Sequence, residues 1–193
     1  MRPAGKTRLR TVSAALVAAA AVAASALLAR DPGDEGRSSR PVRPVWTEAH
    51  WPFPVDPWGK GKAFRCKAQH CGGEVQLYVR AKLGFCNCTT GITDDAELDR
   101  MGDLDLIARR TVPLGPGRPI TIAAMQGRSR IYRAGGPRGA NEAVISTAFN
   151  ERCDMVAATA LTEHERPAAI EAAVIEFLNS EAMVKWTEIT LGL

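Results

Sequence analysis

Between Glu74 and Leu83 the chain alternates: Val75, Leu77, Val79, Ala81 and Leu83 are apolar, and Gln76, Tyr78, Arg80 and Lys82 lie between them. A period of two puts each set on its own face of a strand, so the pattern predicts a half-buried strand with its polar set toward water. Thr93–Met101 reads as a short helix. Asp94 is placed to cap it, Glu97 completes a capping-box-like pattern, and Leu98 and Met101 face inward. Two hairpins are predicted next. The first pairs Pro119–Met125 with Arg128–Ala134 around Gln126-Gly127, and the second pairs Ala143–Phe149 with Cys153–Leu161 around Asn150-Glu151-Arg152. From Arg166 onward, Ile170, Val174, Phe177 and Leu178 form the apolar stripe of a helix. Asn179-Ser180 interrupts it, and Met183, Trp186 and Ile189 continue an amphipathic stretch.

Strands paired in hairpins and followed by helices describe an α+β domain, with an antiparallel sheet of about five or six strands packed against a C-terminal helix. Residues 64–193 carry it and suffice for one core. The order of strand, short helix, two hairpins and closing helix resembles the PsbP/Mog1-like fold. The resemblance runs over roughly residues 104–193, through Ile120–Tyr132, Ala143–Phe149, Cys153–Leu161 and the helix after Pro167. It implies a binding or accessory module rather than a reaction, and the cysteine-rich stretch Cys66–Thr90 has no counterpart in it.

The N-terminal region adds an address. Arg2, Lys6, Arg8 and Arg10 precede the uncharged run Thr11–Ala29, whose 19 residues include ten alanines. As a helix this run would span ~28 Å, close to the thickness of a bilayer core. Its length favours an uncleaved anchor, while Ala24-Ser25-Ala26 favours a cleaved signal peptide. Residues 1–30 are therefore read as a signal-anchor or signal peptide. Residues 31–63 are read as a linker followed by an extended arm, in which Trp46, Trp51, Phe53 and Trp58 alternate with prolines. That arm either wraps the domain or offers aromatic anchors to a partner. The Ala-, Arg- and Pro-rich composition points to a bacterial chain. Its expected location is the inner membrane with the body in the periplasm, or the periplasm itself if the segment is cleaved.

Charge excludes one class of partner. The net charge of +4 comes from the four basic residues at the N-terminus; the remainder carries 21 basic and 21 acidic side chains. No basic stripe with interleaved aromatics follows, so nucleic-acid binding is not expected.

The cysteines carry the candidate chemistry. Cys66, Cys71, Cys86, Cys88 and Cys153 suggest disulfides in an oxidising compartment. The preferred arrangement closes Cys66 on Cys71 and joins Cys153 to Cys86 or Cys88. A metal reading uses Cys66, His70, Cys71, Cys86 and Cys88 as soft ligands for zinc or copper. It is weakened because an intervening ten-residue strand would hold Cys71 and Cys86 ~33 Å apart. A thiol-redox reading rests on whichever of Cys86 and Cys88 is unpaired, and lacks a C-x-x-C motif.

Other constellations are weaker. The carboxylates Asp94, Asp95, Glu97, Asp99, Asp103 and Asp105 suit a hard cation or a solvated helix face. The arginines Arg128, Arg130, Arg133 and Arg138 suit an anion or a solvated surface. His50 and His164 are expected in solvent. No hydrolase, metalloprotease or phosphate-loop motif occurs. The sequence thus reads as a non-enzymatic, envelope-facing accessory or binding domain, tethered to the membrane, stapled by disulfides and docking on another envelope protein. No cofactor is expected.

Overall fold

The computed structural model describes residues 43–84, 91–135, 142–163 and 165–193, all within one compact unit spanning Val42–Leu193. An eight-stranded antiparallel sheet forms its centre. In chain order the strands are β1 (Trp46–Ala49), β2 (Lys62–Cys66), β3 (Val75–Lys82), β4 (Arg110–Pro113), β5 (Arg118–Ile122), β6 (Met125–Gly135), β7 (Ala143–Glu151) and β8 (Asp154–Thr162). They lie side by side as β1-β2-β3-β8-β7-β6-β4, with β5 also pairing on β6. The eleven-residue β6 is long enough to seat both: β5 meets its first half, from Met125 to Ser129, and β4 its second, from Tyr132 to Gly135. Five helices accompany the sheet among the described residues: α1 (Ala68–Cys71), α2 (Asp95–Met101), α3 (Leu104–Ile107), α4 (Pro167–Leu178) and α5 (Glu181–Leu191).

The expected two layers become three. On one face, Leu77, Val79, Ile145, Phe149, Val156 and Ala158 pack against Ile170, Val174 and Leu178 of α4 and Met183 and Leu191 of α5. On the opposite face, Leu98 and Met101 of α2 cover Ala148, Met155 and Ala157, while Leu104 and Ile107 of α3 lie against Tyr132 and Val144. Central strands covered on both faces need apolar or hydrogen-bonded side chains at every position. That is why β7 and β8 are near-continuous runs of Ala, Val, Ile, Ser and Thr rather than alternating ones.

The sheet is also wider than the five or six strands expected, because the proline-rich arm itself contributes β1, whose Trp46 lies opposite Cys66. The turn of the first hairpin is displaced as well. Ile122 pairs with Met125, so the loop is Ala123-Ala124, and Gln126-Gly127 lies inside β6. Ala123 takes a left-handed φ of 51°, and its N–H is bound by the side-chain oxygen of Asn179 at 2.9 Å. A tertiary contact from the end of α4 thus does the work that glycine does in an isolated turn. Gly127 serves another purpose: a Cβ there would stand 2.6 Å from the Phe149 Cβ and close against the Ala148 carbonyl.

The membrane reading is corrected here. Thr11–Ala29 lies outside the described residues, and among these no helix is long and apolar enough to cross a membrane. The longest, α4, has 12 residues and spans ~18 Å against a bilayer core of ~30 Å. A transmembrane tether, an inner-membrane location with a periplasmic body and a signal-directed address therefore have no support in this fold.

Replacing Gly127 by alanine forces Phe149 and the β7 backbone apart. We expect it to lower the unfolding free energy by ~1–3 kcal/mol in urea titrations. Gly115→Ala, in open space, should change little. Equal stability of the two variants would contradict the close approach of β6 and β7.

Candidate functional site

Two clefts of similar size open on the two faces of the sheet, and a shared ion network lies behind both. On the α2–α3 face, Arg80 and Lys82 are only 4% and 5% exposed, not solvated as the alternation predicts. Asp103, between α2 and α3, receives Arg80 Nε and Nη2 at 2.6 Å each and Lys82 Nζ at 2.7 Å. Arg80 Nη1 reaches Asp56 Oδ2 at 2.6 Å, and Asp56 Oδ1 accepts the Trp58 N–H at 2.8 Å. Lys82 also donates to the Met101 carbonyl and lies 5.6 Å from the centre of the Trp58 ring. Burial opposes the charge on Arg80, but its bonds to Asp103 and Asp56 outweigh that cost and raise its pKa above the ordinary value. The bond from Arg80, followed in weight by burial that opposes it, leaves the Asp56 carboxyl below its usual range. These groups line a cleft of about 600 Å³ together with Tyr132, Asp99 and Arg109.

Two members of the acidic cluster, Asp95 and Asp99, pair with two of the basic one, Arg128 and Arg130. Arg128 Nε donates to Asp95, and Arg130 Nη1 donates to Asp99 at 3.1 Å. Tyr132 Oη donates to Asp99 at 2.5 Å; burial first, and this bond second, push its phenol pKa up. α2 is positioned for this by its cap, in which Asp94 Oδ1 accepts the Glu97 N–H at 2.8 Å. No cation site results among the described residues, while Asp94, Asp99 and Asp105 keep exposed positions, as a solvated helix face requires. Arg138 lies outside the described residues, and Arg133 is exposed.

The same network holds the loop between β4 and β5 from behind. Asp95 accepts the Gly117 N–H, Arg128 Nη2 donates to the Gly117 carbonyl at 2.9 Å, and Arg130 Nε donates to the Gly115 carbonyl at 2.9 Å. The Gly117 N–H first, and Arg128 second, lower the Asp95 carboxyl pKa. From the front, this loop walls a cleft of about 590 Å³ on the α4 face. Leu114, Pro116, Ile131 and the first turn of α4 supply its apolar surface. Ser129, fully buried, donates to Glu171 Oε1 at 2.6 Å and sits 3.1 Å from the Thr147 hydroxyl. Arg118 Nε donates to Glu171 Oε2 at 2.9 Å.

The sequence singled out none of Arg118, Ser129, Thr147 and Glu171. Their signal was present: Ser129 falls between Gly127 and Ile131, and Thr147 between Ile145 and Phe149, on faces that are apolar at those neighbours, and Glu171 follows the stripe residue Ile170.

The residues that were singled out lie elsewhere. Cys66 and Cys71 form a disulfide across a Cα separation of 6.0 Å. Cys153 is disulfide-bonded too, and the remaining cysteines, Cys86 and Cys88, lie outside the described residues. The metal reading is corrected accordingly. Two of its thiols are oxidised, His70 Nε2 accepts from Gln69, and no group of three His, Cys, Asp or Glu able to hold an ion occurs among the described residues. The redox reading keeps no thiol among the described residues, since Cys66, Cys71 and Cys153 are all bonded.

Three of the arm's four predicted anchors, Trp46, Trp51 and Phe53, pack on their own domain, while Trp58 stays exposed beside Lys82. Trp46 stacks on Phe177 with 5.0 Å between ring centroids, and Trp51 and Phe53 pack edge-on to each other and to Tyr78. With those three anchors engaged and no membrane-crossing helix among the described residues, docking on an envelope protein has no support.

No family model matches the chain, and no curated protein matches it. The resemblance to the PsbP/Mog1-like fold and the bacterial, exported origin are set aside with that finding. The stretch 104–193 is moreover not a separate sheet, since β8 continues directly into β3, β2 and β1.

Asp103→Asn leaves Arg80 and Lys82 buried with too little counter-charge, and should cost ~3–5 kcal/mol of unfolding free energy. A loss under ~1 kcal/mol in urea titration would contradict the burial of this cluster.

Asp56 and Asp95 contribute to stability on the acid side. Their folded pKa values lie below the unfolded ones, so the stabilisation is complete above an unfolded pKa of ~4 and is lost as pH falls through the folded values. Unfolding midpoints followed by circular dichroism should fall on acidification below about pH 4, and less steeply in Asp95→Asn.

Proposed function

We propose that this domain is a non-catalytic small-molecule-binding module whose ligand occupies the cleft between the β4–β5 loop and the first turn of α4. The observation that carries this reading is a largely apolar cavity of about 590 Å³, walled by a loop held at Gly115 and Gly117, with polar groups converging at its base. Cavities of this size, apolar with a few placed polar groups, are what small ligands use. Holding the wall in place beforehand lowers the ordering cost of binding.

The chemistry of the base supports binding over catalysis. The Ser129 hydroxyl has no exposed surface and is directed at Glu171, whose other oxygen is held by Arg118. A serine nucleophile needs access to substrate and a base free to take its proton, and neither condition is met. No histidine or cysteine lines the cleft. The cleft on the opposite face is the weaker candidate, since Arg80, Lys82 and Asp103 at its base already satisfy one another.

A neutral solvatochromic dye titrated into the full chain should bind saturably at one site. Ala169→Trp, on the exposed side of α4's first turn, should obstruct the cleft and weaken binding roughly tenfold or more, about 1.4 kcal/mol. Its melting temperature should stay near that of the parent. Dye binding unaffected by this substitution, or absent from the parent chain, would overturn the proposal.

A further inference from the structure

Resting on that reading, we propose that the ligand of the α4-face cleft is an amphipathic anion, with a carboxylate or phosphate head on Arg118 and an apolar tail along Leu114, Pro116 and Ile131. Three guanidinium groups line this cleft, those of Arg118, Arg130 and Arg166, against the single carboxylate of Glu171. That carboxylate is 5% exposed and both its oxygens are engaged, one by Ser129 and the other by Arg118. A cationic ligand therefore finds no accessible counter-charge.

Arg118 is different. Its side chain is half exposed and commits only Nε to Glu171. Its two terminal amino groups have no protein partner among the described residues, and an arginine fork of this kind matches the planar geometry of carboxylate or the oxygens of phosphate. Arg130 is already tied to Gly115 and its charge is met by Asp99 and Asp95, so it offers a ligand neither a contact nor a net charge. Arg166, at the N-cap of α4, is itself engaged within the protein, so the head-group contact falls to Arg118. The remaining lining is apolar and confers no head-group preference, which is why the charged groups decide the class of ligand.

The test compares four probes sharing a ten-carbon chain, each kept below its aggregation threshold and titrated calorimetrically into the full chain. They are decanoate, decyl phosphate, decanol and decyltrimethylammonium. The anions are expected to bind more tightly than decanol by about tenfold, equivalent to ~1.4 kcal/mol. The cation is expected to bind more weakly than decanol. The ratio of decanoate to decyl phosphate then identifies the preferred head.

Arg118→Gln should remove the preference for anions while leaving decanol affinity within about twofold. Glu171→Gln, which keeps the side-chain shape but frees Arg118 of its counter-charge, should tighten decanoate binding. These opposite signs separate a head-group contact from a general loosening of the cleft. Equal affinity for all four probes, or an anion preference that survives Arg118→Gln, would overturn the ligand class and leave the binding site standing. Failure of every probe to bind would overturn the site as well.

Discussion

The outer layer of this fold depends on the contact between Arg80 and Asp103. Arg80 belongs to β3, near the middle of the sheet, and Asp103 to the junction of α2 and α3. Two parallel hydrogen bonds of 2.6 Å join them, Lys82 adds a second cation, and the remaining edge of the guanidinium is closed by Asp56 from the arm. Taking such charges out of water is costly, and a buried pair recovers that cost only when its geometry is good and every donor is matched. The pair is two-pronged and each guanidinium nitrogen of Arg80 has a carboxylate partner, so the cluster fixes where the layer sits. The apolar contacts of Leu98, Met101 and Leu104 could tolerate a sliding layer; a two-pronged ion pair cannot.

A second consequence concerns the two faces together. Asp95 and Asp99 of α2 reach, through Arg128 and Arg130, to the backbone of Gly115 and Gly117. The outer layer thereby shapes a wall of the cleft on the opposite face. Stability and binding are coupled through this loop: the groups that hold α2 down also hold the cleft open at one width. The polar base of that cleft, Ser129 with Thr147 and Glu171, is satisfied internally, which leaves Arg118 as the group that projects unmet capacity toward a ligand.

Much of the local structure was legible in the sequence. The strand expected over Glu74–Leu83 is β3, the helix after Asp94 begins with the capping bond to Glu97, and the helix after Arg166 ends where Asn179-Ser180 interrupts its stripe. Each of these depends on neighbours a few residues apart, so periodicity and capping chemistry suffice to reveal them. The hairpin around Gln126-Gly127 was misread for a complementary reason. A glycine in a strand pattern signals either a turn or a close backbone approach, and only the position of Phe149 decides between them.

By itself, then, the sequence determined the α+β class, the order and rough limits of the main elements, and the lack of any local catalytic motif. Only the tertiary structure decided that Arg80 and Lys82 are buried, that Asp95 and Asp99 pair with Arg128 and Arg130, and that Trp46, Trp51 and Phe53 pack on their own domain. It alone brought Arg118, Ser129 and Glu171 to one cleft, from positions separated by 11, 42 and 53 residues along the chain. The physical reason is the same in each case. Alternation reports that a side chain faces away from one layer, but not whether a second layer waits on the other side, and a charge reports its sign but not which distant partner the fold will bring to it.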